Sequence, residues 1–351
     1  MKKNATHRRP TRGALAALVA LAAGPASAQV TLSGFIDANM ESIRSGGQRI
    51  TRMSSGGLST NRFQIRSEED LGGGLRVKGV YESTFSPNTG AAAAPRETYV
   101  QLASSSWGDI NLGRMNLTSY GIYGYADPIF GGDYSLLNNM VVFYAPYRES
   151  NAVAYNSPRV AGFQFKGTAT TGKEDFTRNG RVTSFGVDYR DGPLYLGVAS
   201  DRKYQTNIRV AGQIESSTDN YLAAVYRVGG HDLTALLHHY SGYYAYPPYV
   251  DFRSSGHSIA LGARFNFGER HRIHVTLVRR DDDRNDALAD ATGVVIGYMH
   301  NLSKRTTLYA NYGAIQHSQA SKVRYPLSWS AATPLSDENP RGMQFGIRHA
   351  F

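Results

Sequence analysis

A chain of 351 residues with 37 Gly, 23 Tyr and no Cys could hold two ordinary domains or one large β architecture, and the Tyr and Gly content favours the second. The missing cysteines exclude a disulfide scaffold and a thiolate metal site, and agree with export. Of the formal charge of +10, five units sit in the first 28 residues, so +5 remains beyond them, too little to point to nucleic-acid binding.

Residues 1–28 read as a secretory leader. Lys2, Lys3, Arg8, Arg9 and Arg12 form a basic region, Ala14 to Ala23 an apolar run, and Ala26-Ser27-Ala28 a small-residue cleavage site. The apolar run is half the roughly 20 residues that a spanning helix needs. Pro10 follows Arg8-Arg9, which favours the general secretory route over a twin-arginine signal. No comparable apolar run follows, so a membrane would be crossed by strands of about 9 to 11 residues.

From Gln29 onward the pattern is period two, the signature of strands. Val30, Leu32, Ile36 and Met40 share one face of a first strand, and Thr31, Ser33, Asp37 and Asn39 the other. A polar loop is expected over Ser42 to Ser59. A second strand then places Arg62, Gln64, Arg66 and Glu68 together, with Phe63 and Ile65 opposite. The glycine-rich turn Glu69-Asp70-Leu71-Gly72-Gly73-Gly74 leads into a third, Leu75 to Phe85, with Arg76, Lys78, Glu82 and Thr84 on its polar side.

Further strands are expected near 97–103, 109–115, 151–157, 162–170, 182–190, 193–201, 219–228, 232–241, 257–267, 270–279, 291–300, 304–315 and 341–351, which makes sixteen. Short turns alternate with long Gly/Ser/Tyr/Asp-rich connections, as in an outer-membrane barrel. The alternative is a soluble β-sandwich. Recurrent Arg, Gln, Glu and Lys on one face argue for a barrel enclosing water. The ending RGMQFGIRHAF alternates cleanly, with Met343, Phe345, Ile347, His349 and Phe351 on one face. Such a last strand is expected to pair with the first, its apolar face toward lipid. The predicted class is therefore all-β, a 16-stranded antiparallel transmembrane β-barrel over residues 29–351.

Residues 116–150 interrupt this grammar and exceed an idle hairpin loop. The aromatic and Gly content of YGIYGYADPIFGGDYSLLNN argues for packing. Folded into the lumen, the segment would be an inward-folded third external loop that narrows the pore; the alternative leaves it outside the membrane.

Several of these stretches resemble the general-diffusion porins of β-proteobacteria. They are Asn61-Arg62-Phe63 through Leu75, Leu112-Gly113-Arg114, Pro128-Ile129-Phe130-Gly131-Gly132, Tyr155-Asn156-Ser157-Pro158, the run from Gly297 to Thr306 with NLSKRT, and the terminal Gly346 to Phe351. The likeness spans nearly the whole chain after the leader. It implies a homotrimer of 16-stranded barrels in the outer membrane, a third loop forming a constriction, and a preference for anions. Arginines of the wall would face acidic groups of the loop: Arg62, Arg96 and Arg148 against Asp127 and Asp133. Arg62 matches a family position directly, and Arg148 shares parity with Ala152 and Ala154. Arg96 opposes Tyr99 in parity, so either it or Glu97 holds the lumen position. Arg66, Arg76, Lys78 and Arg114 are further lumen candidates, although Arg114 shares parity with Ile110 and Leu112 and needs a bend to turn inward.

Arginine suits such a wall because it stays charged and presents fixed donors to carboxylate or phosphate. Opposed arginines and aspartates would set up a transverse field. Expected partners are small anions and hydrophilic solutes, lipopolysaccharide and outer-membrane lipids, and the barrel-assembly machinery through Phe351; nucleic acid is not among them. No catalytic constellation, recognised metal spacing or cofactor motif is found. His238-His239 read as rim residues, and Arg280 to Arg284 as a solvated loop or a cation site among lipid phosphates. Tyr240, Tyr243, Tyr244, Tyr246 and Tyr249 read as an external loop cluster or an interfacial belt. A sugar-selective channel requires those tyrosines to line the lumen, and an outer-membrane hydrolase requires a nucleophile and base at the rim.

Overall fold

The computed structural model describes residues 29–142, 145, 147–174, 177–246, 250–283, 289–319, 321, 323–328 and 339–351. Residues 1–28, expected to be a leader, lie outside the described residues, as do Arg284 and Tyr249. Strands β1 (Gln29–Ser45), β2 (Gln48–Ser55), β3 (Arg62–Gly72), β4 (Leu75–Phe85), β5 (Ala92–Ser104) and β6 (Gly108–Asn116) come first. A short helix, α1 (Thr118–Tyr125), and a single π-helical turn (Leu137–Val141) follow. The wall resumes with β7 (Arg148–Asn156), β8 (Phe163–Thr170), β9 (Val182–Asp191), β10 (Leu194–Thr206), β11 (Ile214–Val228) and β12 (His231–Tyr246). It ends with β13 (Val250–Phe267), β14 (His271–Asp282), β15 (Ala291–Asn301), β16 (Thr306–His317) and β17 (Arg341–Ala350).

All neighbours are antiparallel, and β1 also pairs with β17 over ten residues, from Phe35↔Ala350 to Arg44↔Arg341, which closes the sheet. Both β2 and β3 pair with β1, so they are two halves of one stave interrupted at residues 56–61. The barrel thus has the sixteen expected staves. Closure follows from the chemistry of the terminal strand: Met343, Phe345 and Ile347 stay exposed on the outside, Phe345 at 57 %, while Gln344 is buried inside against Asn311. Every backbone group of that strand finds a partner only if the ring is complete.

Two expected loops are strands instead. The pattern over 42–59 predicts a polar loop, yet Gly46 and Gly47 take positive φ (56° and 74°) and turn β1 directly into β2. Both residues of such a two-residue turn need φ > 0, which glycine adopts without strain. Similarly, β12 and β13 run on to pair Tyr246 with Val250. Tyr240, Tyr243 and Tyr244 therefore sit on a strand and are fully buried, not in a loop or a lipid-facing belt.

The segment 116–150 packs against the buried face of the wall. A Cβ at Gly186 of β9 would lie 2.5 Å from Ile122 of α1, and one at Gly262 of β13 would lie 2.5 Å from Pro128. The wall is bare where the segment touches it. Ile122, Tyr123, Leu136, Leu137 and Met140 join Tyr195, Tyr221, Leu236 and Val295 of the strands in one apolar cluster. Residues 323–328, between β16 and β17, add Val323, Tyr325 and Leu327 to it.

Candidate functional site

One face of the β3–β7 wall carries a cluster of charges beside α1. Arg62 opens β3, and its Nε lies 3.3 Å from Glu82 Oε2 on β4. Its guanidinium stacks over Phe35, 4.6 Å from the ring centre. Arg96 of β5 donates to the other oxygen of Glu82 at 2.6 Å. Two guanidiniums therefore share one carboxylate, a charge-assisted arrangement that holds both side chains in place.

Arg96 and Glu97 both reach this region, for a local reason. Tyr81 faces Thr98 and Ser83 faces Pro95, so two residues of β5 oppose the single Glu82 of β4. That is a β-bulge, and bulges re-aim side chains. Arg96 lines a cavity of about 280 Å³ with Asn61, Asp133 and Tyr147, while Glu97 lines a second of about 240 Å³ with Gln101 and Asn116. Tyr120 of α1 borders both and stands between them.

Arg148 opens β7, where its Nε donates to Asn116 Oδ1 at 3.0 Å and its guanidinium lies 5.2 Å from the Tyr147 ring centre. It is within electrostatic range of Arg96, Tyr120 and Glu97. A second bulge, Ser150 and Asn151 against Arg114, separates it from Ala152, so parity with Ala152 is not what aims it. Arg114 keeps the side of Ile110 and Leu112 and bonds the Pro95 carbonyl (3.1 Å) and Ser150 hydroxyl (2.9 Å). The bend that would turn it inward is absent.

Asp133 lines the same cavity as Arg96, and both Asp127 and Asp133 are buried among hydrogen-bond donors close to their own segment. Asp127 is 2 % exposed and accepts from Ser135 Oγ at 2.5 Å and from the Ile129 amide at 3.1 Å. Burial pushes its carboxyl above the usual range, with those two hydrogen bonds opposing the rise. Asp133 is 5 % exposed, accepts from Ser328 Oγ at 2.5 Å, and donates its amide to the carbonyls of Gly56 and Gly57. Both serve to fold the inserted segment and tie it to its surroundings. The acid beside Arg62 and Arg96 is Glu82, which parity had placed on the polar side of β4 without a role.

Below this cluster, several acids of the inner wall each hold more than one cation. Arg76 and Lys78 flank Glu68 at 3.4 and 3.9 Å, and Arg66 donates to Gln64 at 3.1 Å. Asp188 takes Arg159, Lys166 and Arg190 at 2.5, 2.7 and 3.2 Å. Asp232 takes Arg227 and Arg264 at 2.8 and 3.3 Å, and Arg264 also bonds the Tyr125 carbonyl of α1 at 2.8 Å. Inward parity marks these residues in the sequence; their grouping about shared acids depends on cross-strand register.

On the opposite wall, Tyr221, His238, Tyr240 and Tyr244 are closed off from solvent. His238 is buried, bonded to Asp219 at 3.0 Å and stacked on Tyr221, so it is not a rim residue. Arg280 lies 3.9 Å from the Tyr240 ring centre and donates to the carbonyls of Met140 and Val141, placing it inside rather than in a solvated loop. These tyrosines offer no open face for stacking a sugar. Among the described residues no group of His, Asp and Glu is arranged to hold a metal ion, and no helix is long and apolar enough to cross a membrane.

Comparison with known proteins bears on this arrangement. The family model described as Gram-negative porin matches residues 14–320. Outer membrane porin protein 32 of Delftia acidovorans is 30 % identical over 362 residues, covering 96 % of this chain and 98 % of that protein. The anion-selective porin from Comamonas acidovorans superposes with a TM-score of 0.82 at 25 % identity, covering 93 % of this chain and 100 % of that one. OmpT of Vibrio cholerae in its trimer form shares the fold, with a TM-score of 0.66 at 16 % identity over 93 % of this chain and 100 % of that one. A closed sixteen-stave barrel, apolar outside and charged within, agrees with these matches: the chain belongs to the Gram-negative porins, passive diffusion channels of the bacterial outer membrane rather than enzymes.

Proposed function

We propose that this porin favours small anions, and that Arg62, Arg96 and Arg148 beside Tyr120 form its narrowest charged passage. The observation that carries the reading is the imbalance on the inner wall. In four clusters among the described residues, nine cations lie on four carboxylates: two each on Glu82, Glu68 and Asp232, and three on Asp188. Each of these four acids is over-neutralised, so a permeating anion meets a positive wall at those clusters, and fixed wall charges in a water-filled pore act on passing ions directly. Arg66, Arg76 and Lys78 extend the positive wall beyond the constriction, whereas Arg114 takes no part. The similarity to an anion-selective porin supports the same reading.

The inserted segment 116–150 acts as the constriction loop, with Asp127 and Asp133 as its internal fasteners. Further parts of the reading are assembly as a homotrimer, removal of residues 1–28 on export, recognition of Phe351 by the barrel-assembly machinery, and contact with lipopolysaccharide. The experiment is the zero-current potential of single channels in planar bilayers between unequal KCl solutions. A potential of the sign set by chloride is expected; a potassium-selective sign removes the anion preference.

A further inference from the structure

At the far end of α1 an aromatic ring stands in the aqueous lumen. Tyr123 and Tyr134 of the inserted segment turn into the packing and are fully buried. Tyr125, the last residue of α1, is instead 40 % exposed. Phe130 is equally exposed but packs on Tyr120 beside the constriction, with 4.9 Å between ring centres. Tyr125 is nevertheless held in place. Its ring centre lies 4.2 Å from that of the buried Tyr195 on β10, and Arg264 of β13 donates to its carbonyl at 2.8 Å. One side of the ring is therefore fixed on the wall, and the rest of its π surface meets water.

The same corner gathers cations. Arg190 of β9 faces Tyr195 in register, and its guanidinium lies 4.6 Å from the Tyr125 ring centre and 5.2 Å from that of Tyr195. Its acid partner is Asp188, which also holds Arg159 and Lys166 at shorter distances, so the single carboxylate leaves positive charge over. Arg227 of the neighbouring β11 is 63 % exposed and within electrostatic range of Tyr125. It shares Asp232 with Arg264, which again leaves a cation in excess. Both arginines border short turns, Asp191 to Leu194 and Val228 to His231, and short turns mark the periplasmic end of such barrels. The ring and its cations thus lie between the constriction and the periplasmic mouth.

We propose that Tyr125, Arg190 and Arg227 form a subsite for aromatic carboxylates, reached by a solute once it has passed Arg62, Arg96 and Arg148. The inference rests on the anion preference proposed above and gives it a solute class. An arylcarboxylate brings two features that this corner matches. Its carboxylate accepts charge-assisted hydrogen bonds from a guanidinium, and its flat ring stacks on the open part of Tyr125, where a neighbouring guanidinium adds a cation–π contact. A saturated ring with the same charge meets the same cations but offers no π face. Planarity, rather than charge or apolar area, is what the corner distinguishes.

The test is block of the chloride current through single channels of the full folded protein in planar bilayers. Benzoate or cyclohexanecarboxylate is added at neutral pH, where both are ionised. Benzoate is expected to reach half-block at about three- to tenfold lower concentration than cyclohexanecarboxylate. Tyr125→Leu should lose that difference, Tyr125→Phe should keep it, and Arg190→Gln should weaken block by both acids. Phe185→Leu, on the outer face of β9, should behave as wild type. If Tyr125→Leu folds poorly, the two acids on wild type and on Tyr125→Phe decide the matter. Equal block of wild type by the two acids overturns the proposal, and so does a benzoate preference that survives Tyr125→Leu or vanishes in Tyr125→Phe. The zero-current potential in KCl, read on the same channels, reports the anion preference separately, so a chloride-selective channel that treats the two acids alike fails this proposal alone.

Discussion

Glu82 sits between Arg62 and Arg96 and is the acid that both guanidiniums share. In a water-like medium a unit charge about 4 Å away is worth about 1 kcal/mol, roughly fivefold in local ion concentration. Glu82→Gln keeps the shape and leaves both guanidiniums uncompensated, so the chloride-to-potassium permeability ratio should rise by roughly two- to fivefold, read as a larger zero-current potential; an unchanged potential would remove the pair from the ion path. At this scale the sequence is readable wherever strand parity holds. Arg62, Gln64 and Arg66 fall on the inner side as alternation requires. Parity could not choose between Arg96 and Glu97, because the bulge opposite Glu82 turns both toward the site. Parity says nothing of Asp127 and Asp133, which lie in a packed loop where nearby hydroxyls and amides bind their carboxylates.

The inserted segment is an element whose position is set by what the wall lacks. Gly186 and Gly197 leave room for Ile122, Gly262 for Pro128, and Gly293 for Met140 and Leu136. A valine at Gly186 would drive into Ile122 and Thr118, with the Val198 carbonyl 2.9 Å behind its Cβ. Overpacking of this kind costs about 1–3 kcal/mol, too little to unfold the barrel and enough to displace a short helix. Gly186→Val is expected to raise single-channel conductance and its noise while the barrel still folds; unchanged conductance would mean that α1 does not narrow the pore. The aromatic richness of this stretch announced packing. Which wall receives it depends on pairs such as Ile122 with Gly186, separated by 64 positions, that no local pattern records. The buried Tyr243 and Tyr244 have no local signal either, because strands β12 and β13 continue into the region expected as loop.

For the whole molecule, the closed seam between β1 and β17 is what allows a strand with an apolar outer face to exist without aggregating. Porins of this fold include one solved in a trimer form, and the exposed apolar rows are compatible with both lipid and neighbouring protomers. A folded trimer should migrate at high apparent mass on a cold gel and collapse to the mobility of the single chain after boiling; identical mobility before and after heating would contradict the assembly. The sequence by itself determined the class, the strand count, the inner and outer faces and the presence of an inserted segment. Those features follow from period-two alternation and turn chemistry, which act over a few residues. Only the tertiary structure decided that the second stave is split at 56–61, that Glu82 joins Arg62 to Arg96, that Asp127 and Asp133 fasten the loop internally, and that Tyr125 meets Arg190 at the end of α1. Each of those depends on register between strands and on contacts between distant segments, where one bulge is enough to reassign a side chain.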